Sequence, residues 1–410
     1  MSLYTPAVCY LILVLFCVLA LRNRLRRAYN LPPGPSRGLF GDNRHAVPSS
    51  HPWKTFTKWH EKYGDIISFK LGNTPVIVLG TFKAASDLLG KRGGIYSSRP
   101  RNIVASEILS GGMRGLAMPY GARWRNWRHI MHCGLNVIAS PKYKPIQLME
   151  SSILLQDLLT ETDLTKSSSH IRRFSMSVIM SITHGRRIAS LDDPVVAANI
   201  KADQYLVSAL VPWKYLVESW PILLYLPRML QWFRREPEKQ RGEDSVLYMS
   251  LMNNARSRVQ RGSAQQSMAK LAFEKQSLLG LSDLEIAYTL SSPWMAGIVS
   301  TTSTFHVFLM AMLHNPHVMH ALHAELDAVV GMDRLPTFDD EESLPYLQAV
   351  IKETRRWRPA LPLGVPHATI SDDAYEGMYI PKGSTVYANI HAMSQDPTVQ
   401  FTPPLLLRRG

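Results

Sequence analysis

From Tyr4 to Leu21 the chain reads YTPAVCYLILVLFCVLAL, eighteen residues without a charge, closed abruptly by RNRLRR. That length predicts a helix that crosses a bilayer. Ten of the eighteen are Leu, Ile, Val or Phe, each favouring insertion by about 0.3–0.6 kcal/mol near the helix centre, which outweighs Thr5 and Pro6. A cleaved signal peptide carries its positive charge before the apolar run and a small-residue site after it, whereas here the arginines follow. Arg22, Arg24, Arg26 and Arg27 are expected to stay on the cytoplasmic side, leaving the short N-terminus across the membrane. Next comes LPPGPSRG, whose prolines stop the helix and give a stiff connector. The expected organisation therefore starts with an anchor over 4–21 and a basic, proline-rich hinge over 22–38.

At 410 residues, with 46% hydrophobic and 19% charged residues, the remainder is long enough for a large globular core and is not disordered in composition. The net charge of +14 is concentrated early: residues 1–150 hold 21 Lys and Arg against 6 Asp and Glu. Such a region can meet anionic lipid, an acidic protein or nucleic acid; beside an anchor, nucleic acid is the reading to discard. Cys9 and Cys17 lie in the anchor and Cys133 stands alone outside it, so no disulfide framework is expected, in keeping with a reducing cytosol.

WKTFTKWHEKYG has helical spacing, and DIISFKLGNTPVIVLG reads as two strands turned at Gly72 and Asn73. Thr81 is expected to cap a short helix that Gly90 stops. The middle, residues 146–268, is helical in pattern without readable chemistry. AYEGMYIPKGSTVYANI reads as two strands turned at Pro381, Lys382 and Gly383. Long helices with small hairpins predict a mainly α protein with minor β.

Four stretches carry chemistry. In ARWRNWRHIMH, Trp124 and Arg128 stand one helical turn apart and can present an indole N–H and a guanidinium to one anion, such as a porphyrin carboxylate; a plain basic amphipathic helix has the same pattern. In PWMAGIVSTTSTFHVFLMAML, Pro293 and the small Ala296 and Gly297 predict a bend with room for a flat ligand, and Ser300, Thr301 and Thr302 add hydroxyls there. Such hydroxyls equally well bond back to the carbonyl one turn earlier. In KETRRWRP, Glu353 and Arg356 are three apart on one face, where an ion pair forms easily. In PLGVPHAT, His367 precedes the last strands among prolines.

Taken in order, these stretches resemble the cytochrome P450 family, the haem-thiolate monooxygenases, in its membrane-anchored eukaryotic and fungal form. The likeness covers the proline hinge, Trp124 and Arg128 as WxxxR, the bent central helix, Glu353 and Arg356 as ExxR, and RWRPALPLGVPHAT. It implies the cytochrome P450 fold, here over residues 39–397. It also implies that Trp124, Arg128 and His367 contact haem propionates, that Ala296 and Gly297 line the haem, and that Ser300 and Thr301 stand at the catalytic hydroxyl positions. By the same resemblance a small lipophilic substrate is oxidised with molecular oxygen, NADPH supplies electrons through the flavoprotein NADPH-cytochrome P450 reductase, and the protein sits as a single-pass protein of the endoplasmic reticulum membrane with its soluble part in the cytosol.

Two departures qualify that expectation. AGIVSTT puts Val299 where the family has an acid. After SQDP the chain continues TVQFTPPLLLRRG instead of the family's Arg-Phe segment and its cysteine loop, so residues 398–410 read as an aberrant tail and the domain as lacking the cysteine loop and the helix that follows it. Cys133 lies about 180° from Trp124 and 140° from Arg128 around the same helix, which makes it a buried apolar cysteine and leaves no metal ligand to name. Without the thiolate's push of electron density, oxidation is expected to be lost or weak; the alternative is a catalytically dead, membrane-anchored remnant acting only by binding haem or a partner.

Overall fold

The computed structural model describes residues 30–38, 41–211, 214–262 and 267–397. The anchor expected over 4–21, residues 22–29 of the hinge and the tail over 398–410 lie outside the described residues. Two compact units account for the chain. One is built from residues up to Ser98 together with Pro366–Asn389, the other from Arg99–Val365 together with the residues after Asn389.

The first unit holds α1 (Pro52–Tyr63) and six strands: β1 (Ile66–Leu71), β2 (Thr74–Leu79), β3 (His367–Ala368), β4 (Asp373–Tyr375), β5 (Met378–Ile380) and β6 (Thr385–Ala388). Its larger sheet has the order β1-β2-β6-β3, with β2 and β6 parallel and the flanking pairs antiparallel. The central place of β2 explains its continuous apolar run: Val76, Ile77, Val78 and Leu79 are all buried, as a strand covered on both faces requires. The first hairpin turns where expected, with Gly72 at φ 59°. The second does not. β4 pairs with β5 around Glu376 and Gly377, both at positive φ, a turn that matches the twist of a two-residue hairpin; Gly383 then redirects the chain so that β6 joins β2. Thr81 accepts a hydrogen bond from the Ala84 N–H as a cap should. Gly90 does not stop that helix but lies inside a wide turn over Ser86–Lys91.

Residues 30–38 are bound to this unit. Ser68 N–H donates to Pro33 O at 2.8 Å, and the buried Asn43 donates to Ser36 O while accepting from Lys70 N–H. Gly34 abuts the Ser68 carbonyl so closely that no side chain fits there.

The second unit is helical: α2 (Ala122–Leu135), α3 (Lys144–Thr160), α4 (Ser167–His184), α5 (Pro194–Ala209), α6 (Arg235–Gln260), α7 (Met268–Leu279), α8 (Asp283–Ser291), α9 (Pro293–His314), α10 (Pro316–Val329), α11 (Pro345–Trp357) and the short α12 (Ile390–Ser394). The unit is thus mainly α, as the sequence implies. One core gathers Ile130 and Met131 of α2, Met252 of α6, Ala269 of α7 and Tyr288 of α8. A second layers α9 on its neighbours through Trp294 and Ile298, which meet Met176 and Met180 of α4, Val196 of α5 and Leu251 of α6.

Candidate functional site

The helix carrying Trp124 and Arg128 is amphipathic. Ile130, Met131 and Gly134 are buried, and a side chain at Gly134 would run into Met268 of α7. Its arginines are treated differently. Arg123 pairs with Glu285 at 3.1 Å and Arg125 lies over the Tyr120 ring at 5.9 Å, but Arg128 is exposed and meets no hydrogen-bonding or charged partner among the described residues. Trp124, one turn earlier, is half-buried against Tyr120, with ring centroids 5.1 Å apart. A guanidinium and an indole are thus held in one row with nothing to neutralise the charge. Cys133, expected to be buried and apolar, is half-buried, and its Sγ lies 3.7 Å from His129 Nε2 on the same helix.

The central helix forms for legible reasons. Ser282 and Glu285 make a reciprocal capping box at the start of α8, and Pro293 occupies the first turn of α9, where its missing N–H costs nothing. Ser292 between them keeps helical dihedrals, so the interruption falls at the proline and not at Ala296–Gly297. Asp283–His314 is also the one stretch among the described residues long and apolar enough to cross a membrane, with a mean hydropathy of 1.5, yet only 17% of that window is buried. The reason is one-sided packing. Trp294, Ile298 and Phe305 face α4, the last edge-on to Phe174 at 5.8 Å, while Ala296, Val299, His306 and Leu313 are exposed along the opposite side, Val299 at 48%.

Gly297 belongs to the packed side. A Cβ there would come within 2.9 Å of Ile179 Cδ1, so its missing side chain lets α9 approach α4 and does not make room for a flat ligand. The hydroxyls divide. Ser300 Oγ donates to Ala296 O at 2.6 Å, the back-bond to the preceding turn, and Thr302 Oγ1 donates to Ser175 of α4 at 3.3 Å. Thr301 is half-buried with no hydrogen-bond partner for its hydroxyl among the described residues. Among the described residues no hydrogen bond, ion pair or ring contact joins this set to Trp124 and Arg128.

On α11, Arg356 donates from Nε and Nη2 to the two carboxylate oxygens of Glu353 at 2.6 and 2.7 Å, a forked pair that is mostly buried. Nη1 finds a third partner in the Ser394 carbonyl of α12. Glu325 of α10 caps this helix, accepting from the N–H groups of Tyr346 and Leu347. His367 lies in the first unit, where its ring bonds the Tyr96 carbonyl through Nδ1 at 2.7 Å. With that nitrogen donating, Nε2 can donate to a carboxylate only when the ring is protonated.

Haem requires an uncompensated cation for its propionates and an apolar surface for its ring. Arg128 with Trp124 fits the first need and the Ala296–Val299 side of α9 the second. The cytochrome P450 family model matches residues 32–404. The chain belongs to the cytochrome P450 family. A cytochrome P450 monooxygenase of Armillaria gallica is 38% identical over 370 residues, covering 90% of this chain and 70% of that protein. Cytochrome P450 monooxygenase 58 of Postia placenta is likewise 38% identical, over 371 residues, with the same coverage. In three dimensions the chain is similar to a zebra fish cytochrome P450 solved with progesterone, at a TM-score of 0.71 and 23% identity, covering 87% of this chain and 83% of that one. A structure of a zebra fish cytochrome P450 with abiraterone gives 0.70 and 22%, with coverage of 88% and 82%. The cytochrome P450 fold, the haem cofactor and the monooxygenase class follow.

Sequence reasoning missed the ionisable groups buried in the middle of this cytochrome P450. Glu150 of α3 is fully buried and accepts from Arg173 at 2.8 Å, Arg187 at 2.7 Å and Ser177 at 2.7 Å. Glu218 accepts from the N–H groups of Ile103 and Val104, and burial raises its pKa. Arg114 donates to Asp244 and Tyr248 of α6 at 3.0 and 2.6 Å. Nearby Asp203 of α5 is pushed up to about 7 by burial, with Arg114 opposing the rise and Asp244 adding to it. None of these sits in a spacing that marks it, because each partner comes from a distant part of the chain.

Proposed function

We propose that the chain is a haem monooxygenase that oxidises a small lipophilic substrate with molecular oxygen, NADPH supplying electrons through a flavoprotein reductase. The observation that carries this is the exposed Arg128 guanidinium one turn from Trp124, which has no partner among the described residues and is a ready partner for carboxylates. When bound, haem supplies the oxygen-activating chemistry. The chain's own residues hold and shape: Arg128 and Trp124 bind propionates, His367 adds a contact when protonated, and Ala296 with Val299 presents an apolar wall. Thr301, whose hydroxyl is uncommitted, is better placed than Ser300 to pass a proton, since Ser300 gives its own to Ala296 O. Val299 has no proton to give, so water supplies it.

The run from Tyr4 to Leu21 anchors the protein in the endoplasmic reticulum membrane with the globular part in the cytosol. The zebra fish structures with progesterone and abiraterone favour a compact, largely apolar substrate. A second reading, haem or partner binding without turnover, is favoured by the cysteine inventory: among these 410 residues cysteine stands only at 9, 17 and 133, and Cys133 Sγ is turned to His129. These residues by themselves are then impaired as an oxidase. A reduced, carbon monoxide-treated absorption spectrum of the expressed chain separates the two. A haem band without thiolate character supports the impaired form, a thiolate signature the active enzyme, and no haem band at all overturns the haem-binding proposal.

A further inference from the structure

Residues 276–333 contain no Lys or Arg, although the chain carries a net charge of +14, and they hold the acids Asp283, Glu285, Glu325, Asp327 and Asp333. Five of the 14 histidines fall in the same stretch, and His317, His320 and His323 recur at every third position of α10. Residues three apart are neighbours on a helix surface. At 100° per residue, His317 and His323 lie about 60° to either side of His320. Val318 and Leu322 lie on the far side, buried in a core with Ala311 and Met312 of α9 and Val350 of α11. The three imidazoles therefore face solvent. All are exposed, and none has a hydrogen bond or ion pair among the described residues. Ala321 and Ala324 beside them are small and exposed, which leaves the approach open.

Each neutral imidazole offers a nitrogen lone pair, a ligand suited to divalent nickel, copper and zinc. Two on adjacent turns form a chelate, because the first to bind holds the ion within reach of the second. The surrounding charge favours a dication: α10 carries Glu325 and Asp327 and no Lys or Arg. A second candidate pair fails on this count. His129 Nε2 and Cys133 Sγ stand 3.7 Å apart, but Arg123, Arg125 and Arg128 share their helix and repel a dication. No three His, Cys, Asp or Glu side chains converge on one point among the described residues, so the α10 site is a two-imidazole chelate whose other positions go to water.

We propose that α10 binds one divalent transition ion of the nickel, copper and zinc group between His320 and either His317 or His323, pinning the turns that pack on α9 and α11. His320 belongs to both pairs. His317 and His323 are about 9 Å apart along the axis and cannot share an ion without it.

The test is isothermal titration of the full chain with nickel chloride, alongside thermal unfolding with and without the ion. Nickel should bind saturably and raise the unfolding midpoint, because only the folded helix holds the imidazoles in register. His320→Ala should weaken binding about a hundredfold, the low end of what a second linked ligand adds, and abolish the shift in midpoint. His317→Ala and His323→Ala should each cost about twofold, since one of two equivalent arrangements remains; the double variant should match His320→Ala. His129→Ala should change nothing, and magnesium, which prefers oxygen ligands, should not compete. Without metal all these variants, at exposed positions, should unfold like the wild type. No saturable binding, wild-type affinity in His320→Ala, loss of binding in His129→Ala, or a single His317→Ala or His323→Ala as damaging as His320→Ala overturns the proposal. Because no readout requires haem, failure here leaves the monooxygenase proposal standing.

Discussion

Arg356 holds both carboxylate oxygens of Glu353 from one helical turn away, and its remaining nitrogen reaches the Ser394 carbonyl of α12. Two segments nearly forty residues apart are thereby tied by one guanidinium, with Gln395 adding a bond to the Trp357 carbonyl at 3.2 Å. Replacing Arg356 by Ala leaves the Glu353 carboxylate mostly buried without a cation. The expected loss is about 3 kcal/mol, the low end for a buried pair because part of the guanidinium stays wet. Arg356→Lys should recover little, since an ammonium cannot span both oxygens. Urea unfolding of both variants checks this; near-wild-type midpoints would refute it.

Arg128 behaves oppositely. Its side chain is exposed and has no partner among the described residues, so Arg128→Ala should alter the stability of the haem-free chain by less than about 0.5 kcal/mol. Haem retention should fall, and more so in the Trp124→Phe, Arg128→Ala double variant. Equilibrium titration with haem followed by absorbance, alongside thermal unfolding, separates the two effects.

Glu150 is the most deeply committed carboxylate described, buried at 0% exposure and held by Arg173, Arg187 and Ser177. Glu150→Ala strands the buried Arg173 charge, which keeps a 3.3 Å contact to Asp157 and a 3.5 Å one to the Ile188 carbonyl. A destabilisation of about 3–5 kcal/mol is expected, read as a shift of the denaturant midpoint or as loss of soluble protein. Glu150→Gln should be intermediate, because it still accepts hydrogen bonds without carrying charge.

Asp203 sets a pH dependence. Its carboxyl binds a proton more tightly in the folded chain, at about 7, than at its ordinary value of 3.8, because burial disfavours the anion. The stability it contributes is therefore fully present below the unfolded value and is lost as pH rises through about 7. The groups around it are Arg114 and Asp244, whose charges oppose and reinforce the shift. Asp203→Asn cannot ionise, so its unfolding midpoint should gain on the wild type between about pH 4 and pH 7. Parallel denaturation curves for the two proteins across that range would contradict this origin.

The local signals in the sequence were sufficient for much of this protein. The 3.6-residue periodicity, the Thr81 cap, the Gly72–Asn73 turn and the three-residue spacing of Glu353 and Arg356 each describe physics within a few residues, and each appears as read. So does the family, because its motifs are themselves short and ordered along the chain. What only the tertiary structure decided is pairing over distance. β6 joined β2 instead of its sequence neighbour β5, because Glu376 and Gly377 already closed β4 on β5 in a tight turn. Gly297, in a motif that reads as room for a ligand, turned out to serve contact with Ile179, since which side of a helix faces its neighbour depends on where that neighbour packs. The buried charges of Glu150, Asp203 and Arg114 were invisible for the same reason: burial and partnership are properties of the assembled helices, and no spacing along the chain encodes them.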